Sequence, residues 1–126
     1  MKKILVVEDN KIAMEMIKTI LESEGFQIIE ATDGFEGYEK TKEEKPDLII
    51  TDVVMPEVNG YEFSRLIKSD SNLCNIPIVI VSACKKSEHD IMIGKQQCEA
   101  EAYITIPFDP QVLIKTVNGL LPKAVE

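Results

Sequence analysis

Three carboxylates stand where two apolar runs end: Glu8 and Asp9 after Ile4-Leu5-Val6-Val7, and Asp52 after Leu48-Ile49-Ile50-Thr51. An apolar run of this kind reads as a buried strand, and an acid at its end sits at the carboxyl edge of a sheet, where open α/β folds bind ligands. Two such ends bring three acids toward one anionic pocket. Oxygen ligands of this sort suit a hard divalent cation, so the implied chemistry is Mg²⁺-dependent and directed at phosphate. Glu8 and Asp9 are neighbours and would face opposite ways on an ideal strand. At a strand end the chain is turning into a helix, and both can reach a common ion. Each acid also has a plainer reading. Asp9 or Asn10 ahead of Lys11-Ile12 is a good helix cap, and Asp52 could simply open a turn.

The residues after Asp52 sharpen the pattern. Asp52-Val53-Val54-Met55-Pro56 is followed four residues later by Gly60. Pro56 fixes the loop leaving the strand, and Gly60 permits a tight entry to the next helix. A third apolar run, Ile78-Val79-Ile80-Val81, ends in Ser82-Ala83. There a hydroxyl could donate to a phosphoryl oxygen, or cap the following turn.

The elements that must position these groups alternate along the chain. Strands are predicted at Lys3–Glu8, Gln27–Ala31, Leu48–Asp52, Pro77–Val81 and Ala102–Ile104. Several are nearly continuous in apolar character, as when both faces of a parallel sheet are covered. Between them, Ile12, Met16, Ile17, Ile20 and Leu21 mark a helix face that Gly25 closes. Further helices are predicted at Phe35–Glu44, Gly60–Asp70 with Phe63, Leu66 and Ile67 inward, Ser87–Gln97, and Pro110–Leu120. Strand–helix alternation with right-handed crossovers gives a doubly wound parallel sheet with helices on both faces. One domain over residues 1–121 and a short tail at 122–126 account for the chain.

Composition narrows the function classes. The chain has 126 residues and a formal net charge of −8, which argues against a nucleic-acid-binding face. Cys74, Cys84 and Cys98 have no metal-like spacing. No apolar run approaches the roughly 20 residues that span a bilayer. Met1-Lys2-Lys3 leads into a strand without a small-residue cleavage site, so a cytoplasmic domain is expected.

Together these residues resemble the receiver domain of two-component response regulators, over essentially the whole chain. The resemblance rests on Glu8-Asp9, Asp52 with Met55-Pro56 and Gly60, Ser82-Ala83, Tyr103, and Pro107-Phe108. It implies a (βα)₅ flavodoxin-like fold with strand order 2-1-3-4-5. It also implies roles: Asp52 as phosphoacceptor, and Glu8, Asp9, Asp52 and the Val54 backbone carbonyl as ligands to Mg²⁺ or Mn²⁺. Ser82 would contact the phosphoryl group, and Tyr103 would be the aromatic that turns inward when Ser82 moves. The implied partners are a histidine kinase or histidine phosphotransfer protein and a downstream protein effector, with the domain itself a monomer or weak homodimer and not an enzyme. No output domain follows residue 121, so the chain acts alone or is one domain of a longer protein.

One departure weighs on that reading. Family members carry a lysine immediately before the Pro-Phe pair, and this chain has Ile106 there. Charge-assisted hydrogen bonds of the kind that lysine makes are worth about 1.5–3 kcal/mol. Its loss is expected to impair the phosphate-driven switch more than metal binding. Lys11, Lys85 or Lys86 could supply a substitute ammonium. Glu99 stands where many receivers have glycine, Val54 and Cys84 are expected to rim the pocket without charge, and His89 reads as a surface residue. The alternative function is a phosphorylation-independent interaction module of receiver shape.

Overall fold

The computed structural model describes residues 2–52, 60–82 and 100–121. Five strands, β1 (Lys3–Val7), β2 (Gln27–Ala31), β3 (Leu48–Thr51), β4 (Ile78–Ser82) and β5 (Ala102–Thr105), pair in parallel in the order β2-β1-β3-β4-β5. Among the described residues four helices accompany them: α1 (Lys11–Glu22), α2 (Gly34–Glu44), α3 (Gly60–Ser69) and α4 (Pro110–Leu120). The predicted flavodoxin-like order is therefore the observed one. The helix predicted at residues 87–97 and the tail at 122–126 lie outside the described residues.

The continuous apolar runs follow from burial on both faces. Alternate side chains of β1, β3 and β4 enter two separate cores. Ile4, Val6, Leu48, Ile50, Val79 and Val81 meet α1 and α4 through Ile17, Leu21, Leu113 and Val117. Leu5, Val7, Ile49, Ile78 and Ile80 meet α3 through Phe63 and Ile67, with Tyr38 of α2 packed against them. A period of two thus divides one hydrophobic run between two helical layers.

Local signals set the helix ends. Asn10 caps α1 by accepting from Ala13 N at 3.0 Å, and Asp33 caps α2 by accepting from Glu36 N at 2.7 Å. Glu36 in turn reaches back to accept from Thr32 N at 2.7 Å, one residue before the cap. Past α1, Gly25 adopts φ +90° while Phe26 N donates to Leu21 O and Gly25 N to Glu22 O, the paired bonds of a Schellman stop. Pro110 opens α4 behind the Asp109 cap.

The expected face of α1 needs correction. Ile17 and Leu21 are buried, but the third core residue is Met14, while Ile12 is 83% and Met16 39% exposed. The helix carries more apolar residues than one core-facing stripe can hold, and the surplus faces outward. Leu66 of α3 is likewise exposed rather than inward.

A charged cluster ties the opposite end of the sheet. Lys68 Nζ donates to Cys74 O at 3.2 Å, Ile76 O at 3.0 Å and Glu101 Oε2 at 2.8 Å, while Glu101 Oε1 accepts from Ile78 N at 2.7 Å.

Two helical glycines should respond oppositely to alanine. A Cβ at Gly37 would lie 2.9 Å from Val7 Cγ2 and 3.2 Å from Phe63 Cε1, where α2 meets β1 and α3. Gly37→Ala is expected to cost about 1–3 kcal/mol, overriding the helix-propensity gain of about 1 kcal/mol. At Gly119 nothing lies within 4 Å. Gly119→Ala should stabilise by about 0.5–1 kcal/mol. Urea midpoints of the two variants moving in the same direction would refute this contrast.

Candidate functional site

β1 and β3 are neighbours, and the chain leaves β1 for α1 on one face of the sheet and β3 for α3 on the other, which opens a crevice at their carboxyl ends. One further ladder bond beyond each strand end sets the acids around that crevice. Glu8 N donates to Ala31 O at 2.9 Å, and Asp52 N donates to Val7 O at 3.0 Å. The predicted strands ran through Glu8 and Asp52; the strands themselves end one residue earlier, at Val7 and Thr51. Asn10 takes the capping role, which leaves Asp9 exposed beside Glu8.

Glu8, Asp9 and Asp52 each bring a carboxylate oxygen to within 4.8 Å of the others. Glu8 is buried, 3% exposed, and accepts from Asn10 N at 3.1 Å. Burial lifts its carboxyl to about 8, against the pull of the Asn10 amide and with added push from Asp52 and Asp9. Near neutral pH Glu8 therefore holds a proton and shares a hydrogen bond with Asp52. An oxygen-only donor set with a proton held between crowded acids fits a hard divalent cation, which would take that proton's place.

Two hollows flank the acids. One, of about 310 Å³, has Asp9, Lys11, Glu15, Glu30 and Thr32 in its lining. The other, of about 370 Å³, is lined by Glu8, Asn10, Ile12, Ala13, Met16, Asp52 and Ile106. Ile106 is half-buried and packs against the α1/α4 core while forming part of this second lining. Lys11 lines the first hollow and not the second, which Ile106 lines.

Of the remaining expected site residues, Tyr103 lies on β5 opposite Ile80, half-buried against the α2/α3 core. Ser82 ends β4 opposite Thr105, but its side chain lies outside the described residues. So do Val54, Cys84, Lys85, Lys86, His89 and Glu99. Val112 on α4 is 46% exposed, whereas Ile104 of β5 is core.

The response regulator receiver domain model matches residues 4–118. The chain belongs to the response regulator receiver family. It is 37% identical to protein PilH of Pseudomonas aeruginosa, over 96% of this chain and 98% of that protein. It is 32% identical to the polar-differentiation response regulator DivK of Brucella anthropi, over 98% of each. Among solved structures, the signal receiver domain of a histidine kinase from Syntrophus aciditrophicus superposes with a TM-score of 0.89 at 32% identity, covering 100% of this chain and 98% of that one. Receivers are modules of two-component signalling rather than enzymes, and they act with histidine kinases. Among the described residues no helix of this receiver is long and apolar enough to cross a membrane.

Sequence reasoning missed the wall beside the acids. Ile12, Ala13 and Met16 counted toward the core or passed unnoticed, yet they line the second hollow of the receiver. The signal was present: with Asn10 as cap, Met14, Ile17 and Leu21 already supply a complete three-four stripe, so Ile12 and Met16 fall outside it.

Proposed function

We propose that this receiver accepts a phosphoryl group on Asp52 from a histidine kinase or histidine phosphotransfer protein and signals through protein contacts. The observation that carries the reading is the convergence of Glu8, Asp9 and Asp52 within 4.8 Å at the switch point of the sheet. Glu8, Asp9, Asp52 and the Val54 carbonyl would hold Mg²⁺, with Mn²⁺ as a substitute. When bound, the ion supplies the positive charge that offsets repulsion between Asp52 and the incoming phosphoryl oxygens. An Asp52 oxygen forms the new bond to phosphorus as the bond from phosphorus to the donor imidazole nitrogen breaks, and the leaving imidazole keeps that electron pair and takes up a proton. Ser82 contacts the transferred group, and Tyr103 follows it inward. A cytoplasmic location agrees with such partners.

Ile106 favours a second reading. An alkyl side chain in the lining beside Asp52 can neither donate nor carry charge, so the switch is weakened, and in the limit the domain is a phosphorylation-independent interaction module. Intact mass after incubation with Mg²⁺ and a small phosphodonor separates the two. A gain of one phosphoryl group, absent in Asp52→Ala, is expected; no gain from any donor would leave the second reading standing.

A further inference from the structure

We infer that the hollow between α1 and the segment after β5 receives a basic side chain, lysine or arginine, from a protein partner. The inference rests on the proposed phosphoryl site, because the same hollow opens beside it. Four of its lining residues, Ile12, Ala13, Met16 and Ile106, are apolar, and two, Glu8 and Asp52, are acidic. None of the described residues in that lining is basic. Ile12 at 83% and Met16 at 39% exposure lie on a helix whose core contacts are already made by Met14, Ile17 and Leu21. Apolar surface left beside a core that does not need it is surface for a ligand.

The two chemistries select one kind of occupant. A wholly apolar group would strip water from two acids and return nothing to them. A small hydrated cation would leave the apolar wall wet. A side chain with an aliphatic stem and a charged head satisfies both at once. The charge balance holds in either state of the site. Three carboxylates and one divalent ion leave a net negative charge, and phosphorylation replaces the Asp52 carboxylate's single charge with about −1.5 to −2 on the phosphoryl group, which keeps it negative. The chain's formal net charge of −8 steers a basic partner toward it.

The test uses the full chain with Mg²⁺ and follows the backbone amide resonances of Ile12, Ala13 and Ile106. The probes are n-butylammonium and n-propylguanidinium, with tetramethylammonium and sodium at matched ionic strength as controls. One or both stemmed cations should shift these amides saturably, with affinity at least about tenfold above tetramethylammonium. They should also tighten beryllofluoride binding by about threefold or more. Ile12→Ser, at an exposed position, should weaken the stemmed cations several-fold. Ile106→Lys, which supplies the head group from within, should abolish their effect. Responses no larger than with tetramethylammonium, or unchanged in both variants, would overturn the inference. Beryllofluoride binding without amine reports the phosphoryl site separately. Binding there with no amine effect removes the basic side chain alone, whereas amine binding without beryllofluoride removes the phosphoryl reading alone.

Discussion

Lowering the pH from 8 to 6 is expected to weaken Mg²⁺ binding to this receiver by about fifty-fold. The cause is Glu8, whose carboxyl is raised to about 8 by burial and by the nearby charges of Asp52 and Asp9. The ion binds the deprotonated site, so its entry releases the Glu8 proton, and apparent affinity falls about tenfold per pH unit once the proton is firmly held. Glu8→Gln, which has no proton to release there, should bind Mg²⁺ more weakly at pH 8 but lose most of the slope. Titrations in non-coordinating buffer that show the same affinity at pH 6 and pH 8 would sink the assignment. The linkage carries a second sign. Because the folded carboxyl holds its proton more tightly than the unfolded one, its contribution favours folding below the unfolded value of 4.5 and is lost as pH rises to about 8. The metal-free domain should therefore lose stability across that window, the reverse of an ordinary paired carboxylate, and saturating Mg²⁺ should offset the loss.

Glu101→Ala should destabilise the fold by about 2–4 kcal/mol, the largest effect expected from a single change at its charged surface. Glu101 bridges Lys68 Nζ at 2.8 Å and Ile78 N at 2.7 Å, and the Lys68 side chain is only 10% exposed. Removing the acid strands an ammonium against Cys74 O and Ile76 O and leaves the first amide of β4 without its acceptor. Lys68→Met keeps the stem and leaves Glu101 its bond to Ile78 N and its contact with water, and should cost less, about 1–2 kcal/mol. The double variant should lose clearly less than the two losses combined, since each single change leaves a charge behind. By contrast Lys42–Glu39 at 3.4 Å, with both side chains nearly half exposed, should be worth about 0.5 kcal/mol or less. Urea denaturation showing under 0.5 kcal/mol for both single variants would refute the role given to this cluster.

The sheet was legible because its strands must bury both faces, which leaves little freedom in where apolar runs such as Ile78 to Val81 begin and end. The order of the strands came through resemblance rather than periodicity, and the structure agrees with it. The acids could be read because strand ends place Glu8 and Asp52 whatever the loops do. The proton that Glu8 holds could not be read, since it depends on how far burial and two facing carboxylates outweigh one amide. The α1 face was misjudged because the helix has two adjacent apolar stripes, and periodicity alone does not say which one meets the sheet. Lys68 with Glu101 escaped notice because 33 residues separate them and neither belongs to a local pattern.

The two ladder bonds, from Glu8 N to Ala31 O and from Asp52 N to Val7 O, fasten the first acid to the end of β2 and the second to the end of β1, the strand paired on both sides. Opening the Asp52 amide to solvent means parting β3 from β1 inside the sheet, and amides held by paired strands are among the better protected in a domain. The spacing of these two carboxylate-bearing residues is therefore set by the sheet rather than by the loops that follow them. Whatever rearranges when the domain signals must do so around a fixed anchor.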